Sequence, residues 1–71
     1  MIIKYFSDTD TALMEFNDHP VAETRELSEF VYMDLDSDGN LVSLTIEHAR
    51  SSAKFPDISF QQIQAEWPKQ V

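Results

Sequence analysis

An α+β domain, a small antiparallel β-meander of four to five strands with one or two short C-terminal helices, is the fold this sequence predicts. Three observations carry the prediction. Residues 31–47 hold two alternating apolar runs joined by Asp36-Ser37-Asp38-Gly39-Asn40, whose Asp-Gly and Gly-Asn pairs supply the positive φ angles of a hairpin turn. Residues 2–16 repeat that plan around a second polar turn. Near the C-terminus the apolar period lengthens from that of a strand to that of a helix.

In the first strand Ile3 and Tyr5 point one way and Ile2, Lys4 and Phe6 the other. Ser7-Asp8-Thr9-Asp10-Thr11 then turns the chain, because short oxygen-bearing side chains hydrogen-bond the nearby backbone. Residues 12–16 return as a strand with Ala12, Met14 and Phe16 on one face and Leu13 and Glu15 on the other. Pro20 breaks the chain and pushes His19 towards extended geometry. Residues 21–27 read as an exposed edge strand, since Glu23, Arg25 and Glu26 leave little apolar surface to bury and discourage pairing with another chain. In the 31–47 hairpin Val31, Met33 and Leu35 share a face with Val42, Leu44 and Ile46, and these six are the central core prediction. Ile3, Tyr5, Met14 and Phe16 extend it.

The other face of that hairpin carries Phe30, Tyr32 and Leu41 beside Ser43, Thr45 and Glu47, so a cover is expected. The C-terminal segment supplies a candidate. Ser59 and Gln62 have capping-box spacing, Phe60, Ile63 and Trp67 recur at helical spacing, and Pro68 ends the winding. A shorter helical turn is expected over 48–53, stopped by Phe55-Pro56.

Seventy-one residues without cysteine make a single domain, residues 1–71, with no disulfide or thiolate metal site to reinforce it. That cysteine usage fits a reducing cytoplasm. Met1-Ile2-Ile3-Lys4-Tyr5-Phe6 lacks a basic start followed by a long apolar stretch, so neither a signal peptide nor a membrane association is expected. Thirteen acidic against five basic side chains give a net charge of −8. Such a surface repels nucleic acid and favours encounter with a basic protein.

Few residues assemble into chemistry. Asp34, Asp36 and Asp38, with Gly39, reproduce the opening of a calcium loop and are the metal-ligand candidates, but position twelve is Thr45 where a bidentate glutamate is required. A hairpin turn accounts for the same letters. His48 with Glu23 or Glu47 would be the raw material of a small hydrolase, yet Glu47 and His48 are adjacent and diverge in an extended chain. No serine lies in a nucleophile elbow, and the aromatic residues lack the interleaved basic residues of a base-stacking platform. No catalytic residue and no cofactor are therefore assigned, and the chain is read as a non-enzyme.

The succession Lys4-Tyr5, Asp8-Thr9-Asp10-Thr11-Ala12-Leu13, Val21-Ala22-Glu23-Thr24-Arg25-Glu26-Leu27, Asp34-Leu35-Asp36-Ser37-Asp38-Gly39-Asn40-Leu41-Val42 and Ile46-Glu47-His48-Ala49-Arg50-Ser51 resembles the bacterial family called domain of unknown function 2283. Met14 stands where the family usually has an aromatic residue, and Val42-Ser43-Leu44 replaces a valine-glycine-isoleucine run. The resemblance implies no enzymatic activity. It does imply small bacterial proteins sometimes found beside small basic toxin-like proteins, hence an antitoxin-like neutraliser. The function expected is a non-enzymatic protein-interaction module with a protein partner, a basic one by charge, and with a homodimer as a subsidiary arrangement. The alternatives are that antitoxin-like neutraliser and a domain binding calcium weakly.

Overall fold

A computed structural model describes residues 1–64 of the chain. Five strands, β1 (Ile2–Phe6), β2 (Thr11–Glu15), β3 (Glu23–Ser28), β4 (Val31–Leu35) and β5 (Leu41–Glu47), form one antiparallel sheet, followed by one short helix, α1 (Ala49–Ala53). The architecture is mostly β, with a small helical part.

The strand order is β1-β2-β5-β4-β3, which corrects the simple meander. A meander would place β3 beside β2, in the middle of the sheet, and β3 is exposed along its whole length. Charged Glu23, Arg25 and Glu26 suit an edge, whereas β5 brings Val42, Leu44 and Ile46 and takes the central position. The link over residues 16–22 therefore crosses the ends of β5 and β4, a Greek-key connection.

Each turn has a local cause. Asp10 adopts φ 55° at the end of the β1–β2 turn, a conformation that a short polar side chain tolerates. In the β4–β5 turn Gly39 has φ 84°, and the Asp36 amide donates to the Asn40 carbonyl at 2.9 Å while the Gly39 amide donates to the Asp36 carbonyl at 3.0 Å. The β3–β4 register shifts between Glu26 and Ser28, and the β4–β5 register shifts between Asp34 and Leu35. That second bulge sets Leu41 opposite Leu35. Simple alternation had placed Leu41 on the other face, with Phe30 and Tyr32; one extra residue in the ladder is the reason it fails there.

The predicted faces hold elsewhere, but burial is shallower than the alternation suggests. Leu35 and Val42 are buried, while Tyr5, Met14, Phe16, Val31, Met33, Leu44 and Ile46 are half-buried and Ile3 is 37 % exposed. The closest packing lies at one corner, where Ala12, Ala49 and Phe55 are buried against Tyr5 and Ile46. The Tyr5 and Phe55 rings stack with centroids 5.9 Å apart. α1 is held there by left-handed residues at both ends, His48 with φ 51° and Lys54 with φ 60°, and the Phe55 amide donates to the Ala49 carbonyl at 3.1 Å.

The second helix, expected from residue 59, is not formed over the described residues. Residues 58–64 are irregular and exposed, with Phe60 87 % and Ile63 82 % exposed, so neither packs on the sheet as predicted. A capping box with two apolar residues makes too short a helix to survive without a surface to bury against. Trp67 and Pro68 lie outside the described residues. The cover, α1 with Phe55, sits on the face of Tyr5, Ala12 and Ile46, opposite to the face expected to need it.

Gly39→Ala should destabilise the protein by about 1 kcal/mol, because the left-handed backbone there strains any β-carbon. The position is sterically open, with nothing within 4 Å of an added Cβ. Gly39→Asn should cost clearly less, and urea unfolding of the two variants would measure the difference.

Candidate interaction surface

The pairing register decides which side chains share a face. Ile3, Met14, Leu44, Met33 and Arg25 lie in one row across all five strands, and Tyr5, Ala12, Ile46 and Val31 lie in the next. Phe55 and Ala49 pack over Tyr5, Ala12 and Ile46. Over the first row no second layer is present among the described residues, and Met14, Leu44 and Met33 stay half-buried beside the more exposed Ile3. This apolar face carries charge at its β3 rim, where Arg25 Nε donates to Glu23 at 2.7 Å, and at the α1 corner, where Asp10 and Arg50 meet the Tyr5 hydroxyl.

The opposite face is mixed, with acidic side chains beside Ile2, Phe6, Leu13 and Tyr32. One row runs Ile2, Glu15, Ser43, Asp34 and Thr24, and the central row runs Lys4, Leu13, Thr45, Tyr32 and Glu26. The Ser43 hydroxyl donates to one Asp34 oxygen at 2.7 Å and the Thr24 hydroxyl donates to the other. Lys4 lies 3.4 Å from Glu15. Glu47 first, then burial, Glu26 and Glu29, hold the Tyr32 hydroxyl above its usual range, since a phenolate would add to negative charge already there.

Two aspartates pin the ends of the sheet. Asp36, 8 % exposed, accepts through Oδ1 from the amides of Asp38 at 2.9 Å and Asn40 at 2.8 Å, and through Oδ2 from the His19 ring at 2.9 Å. A carboxylate only accepts, so His19 donates from Nδ1–H. The His19 hydrogen bond, followed by the Asn40 and Asp38 amides, keeps Asp36 below the usual carboxylate range, while burial works against them. The crossing link is fastened on both sides of this contact. The Phe16 amide donates to Val42 at 2.9 Å, Asn17 Nδ2 to the Leu41 carbonyl at 3.0 Å, and the Ala22 amide to Leu35 at 2.8 Å.

At the other end Asp10 Oδ1 accepts from the Tyr5 hydroxyl at 2.7 Å and the Arg50 amide at 3.0 Å, and its carbonyl accepts from the Ala49 amide at 2.9 Å. The Tyr5 hydrogen bond is the main reason the Asp10 carboxyl also sits below its usual range. These bonds hold α1 against the sheet.

The three metal candidates are thus in different environments. Both oxygens of Asp34 accept from hydroxyls on the polar face, both oxygens of Asp36 accept from the turn and the link, and Asp38 is exposed. Among the described residues no group of three or more His, Asp or Glu side chains is arranged to hold a metal ion. His48 packs edge-on against Phe30, ring centroids 4.5 Å apart, while Glu23 is engaged by Arg25 at the sheet edge. The pairing of His19 with Asp36 was not foreseen; it depends on the crossing link, which has no local signature. For Asp10 a short polar residue closing a turn was the available signal.

Asp36→Asn should lower Tm by about 5 °C through loss of a charge-assisted bond. Because the folded Asp10 and Asp36 carboxyls lie below their unfolded values, near about 3.9, their stabilisation is complete above that pH. It is lost as pH falls through the folded values, where the unfolded chain binds more protons. Thermal melts between pH 5 and pH 2 should show a shallower loss for Asp36→Asn than for the unaltered protein. Millimolar calcium should leave Tm unchanged, and a rise that Asp36→Asn removes would contradict the use of Asp36 as a backbone acceptor.

No helix among the described residues is long and apolar enough to cross a membrane. Comparison with curated proteins and with solved structures gave no match. The family model described as protein of unknown function (DUF2283) matches residues 2–50, the stretch that contains all five strands and both aspartate anchors. This chain belongs to the DUF2283 family.

Proposed function

We propose that this chain is a non-enzymatic protein-interaction module that binds through the apolar face of its sheet. The observation that carries this reading is the in-register row Ile3, Met14, Leu44 and Met33, four large apolar side chains on four adjacent strands that are only partly buried and have no second layer over them among the described residues. A sheet face of that composition is stabilised by a layer packed on it, and a contiguous apolar patch on a small domain marks a contact surface.

The net charge of −8 supports a second reading, an antitoxin-like neutraliser of a small basic protein. The acidic face around Asp34, Glu15 and Glu26 would meet that partner, and the association would weaken steeply with salt. The two readings use different faces.

A photoreactive benzophenone side chain installed at Met33, on the apolar face, or at Glu26, on the acidic face, separates them in cells of the native host. The interaction-module reading expects an adduct of defined mass from Met33 and little from Glu26. A dominant adduct from Glu26 carrying a basic protein would favour the neutraliser, and no adduct from Met33 would overturn the apolar-face assignment.

A further inference from the structure

We infer that Trp67, carried by residues 65–71, folds back over Leu44 between Met14 and Met33, so that the chain covers its own open row until a partner displaces the indole. This rests on the interaction-module reading and adds how access to that face is regulated. Extent is the first argument. With the neighbouring rows covered or buried, one strip is left, in which Met14, Leu44 and Met33 are half-buried and Ile3 is more exposed. Such a strip is too narrow for a second domain, but it suits one aromatic side chain, which buries about 150–250 Å². A tethered ring also needs little area, because docking costs it no translational freedom.

Chemistry is the second argument. Met14 and Met33 pair with Leu44 from either side, on strands about 4.8 Å away. An indole over Leu44 therefore has a thioether at each edge, the contact that sulfur favours with an aromatic ring at about 5 Å. The four side chains of the row are uncharged, and within residues 65–71 the Glu66 and Lys69 side chains offset each other. Docking this segment adds nothing to the self-repulsion of a chain of net charge −8.

Reach is the third. Phe55 already lies on this face, over Tyr5, Ala12 and Ile46, and the open row is two residues further along the strands, about 7 Å away. Twelve residues separate Phe55 from Trp67, a run of about 18 Å as a helix and about 40 Å when extended. Even Met33, three strands from β1, is within roughly 16 Å of the Tyr5 position that the Phe55 ring stacks on. Residues 56–64 then form the connecting arch, in keeping with the exposure of Phe60 and Ile63.

The competing seat for the indole is the mixed face. The chain would have to pass round a sheet edge to reach it, since Phe55 leaves from the opposite side. There the central row also interrupts Leu13 and Tyr32 with Lys4, Thr45 and Glu26, so no continuous apolar strip receives a ring.

Trp67 is the chain's one tryptophan, and Met1, Met14 and Met33 are its three methionines, so the unaltered protein carries its own probes. Trp67 emission should be shifted to the blue of its position in urea and be quenched less by acrylamide. In methyl-13C-methionine protein, nuclear Overhauser contacts should run from the indole to the Met14 and Met33 methyls and not to Met1, equally at 10 μM and at 1 mM. Trp67→Ala in the full chain should move the Met14 and Met33 signals and leave Met1 nearly fixed. In host cells the same substitution should raise the adduct captured from Met33 by about threefold, because covering lowers a partner's apparent affinity in proportion to the fraction left open.

An indole with the emission and quenching of the urea-unfolded chain, and no contact to Met14 or Met33, would overturn the inference. Contacts to Leu13 and Tyr32 would overturn it in favour of the mixed face, and contacts that fade on dilution would assign the ring to a second chain. An adduct whose yield ignores Trp67→Ala would remove the regulatory role. Indole contacts with Met14 and Met33 but no adduct from either chain would uphold the cover and remove the interaction-module reading. The wild-type spectra decide the contact even if Trp67→Ala does not fold.

Discussion

The carboxylate of Asp36 is where the topology is held together. It sits at the start of the β4–β5 turn and takes hydrogen bonds from two amides of that turn and from His19, which belongs to the link arriving from β2. One buried group thus organises the hairpin and anchors the connection that must cross its end. Without that anchor the bond from the Asn17 side chain to the Leu41 carbonyl would be left to guide the link, and β5 would lose part of what keeps it between β2 and β4. Asp10 plays the equivalent part at the other end, joining Tyr5 of β1 to the first turn of α1. Both carboxylates act on the backbone as acceptors while charged, which ties the integrity of the fold to their ionisation.

What those anchors hold in place is a single sheet with chemically distinct faces. Asp34, Ser43 and Thr24 satisfy one another on the polar side, so that side has no need of a second layer. Among the described residues the apolar side receives one at the corner made by Ala12, Ala49 and Phe55, while Leu35 and Val42 are buried towards its other end. A domain of this size has little stability to spare, and Met14, Leu44 and Met33, only partly buried, each forgo a fraction of the roughly 1.5–3 kcal/mol that full burial of such a side chain contributes.

Much of this was legible in the chain because faces are local properties. Alternation in residues 2–6, 12–16 and 31–35 assigned the correct face to Ile3, Tyr5, Met14, Val31 and Met33, and the register confirms it. The turn at Asp36 to Asn40 was equally readable, since glycine and asparagine declare their backbone conformation. Strand order was not, because it depends on which distant strand satisfies β2. The exposed polarity of β3 was noted, but its consequence, that β5 must take the central place, is a statement about the whole sheet. Leu41 was misassigned because a bulge is invisible to a period of two. The expected helix near Phe60 failed because periodicity describes an amphipathic face without guaranteeing that anything receives it.

Binding on the apolar row, where it occurs, would be coupled to folding through the same side chains. Any occupant of the apolar row binds the folded sheet and not the unfolded chain, so it adds to stability in proportion to its saturation. An acid pH that protonates Asp10 and Asp36 would loosen α1 from one end of the sheet and the link from the other, and with them the flatness of the face between. Ionic strength acts through a different route, since the acidic side and the loops carry the net charge while the row itself is neutral. Salt therefore acts on the long-range approach of any charged partner, and acid changes the surface itself. These separate dependences follow from the bias of the sheet's carboxylates towards one face, written in the alternation of Met14 with Glu15 and of Met33 with Asp34, with Glu23 paired to Arg25 on the other.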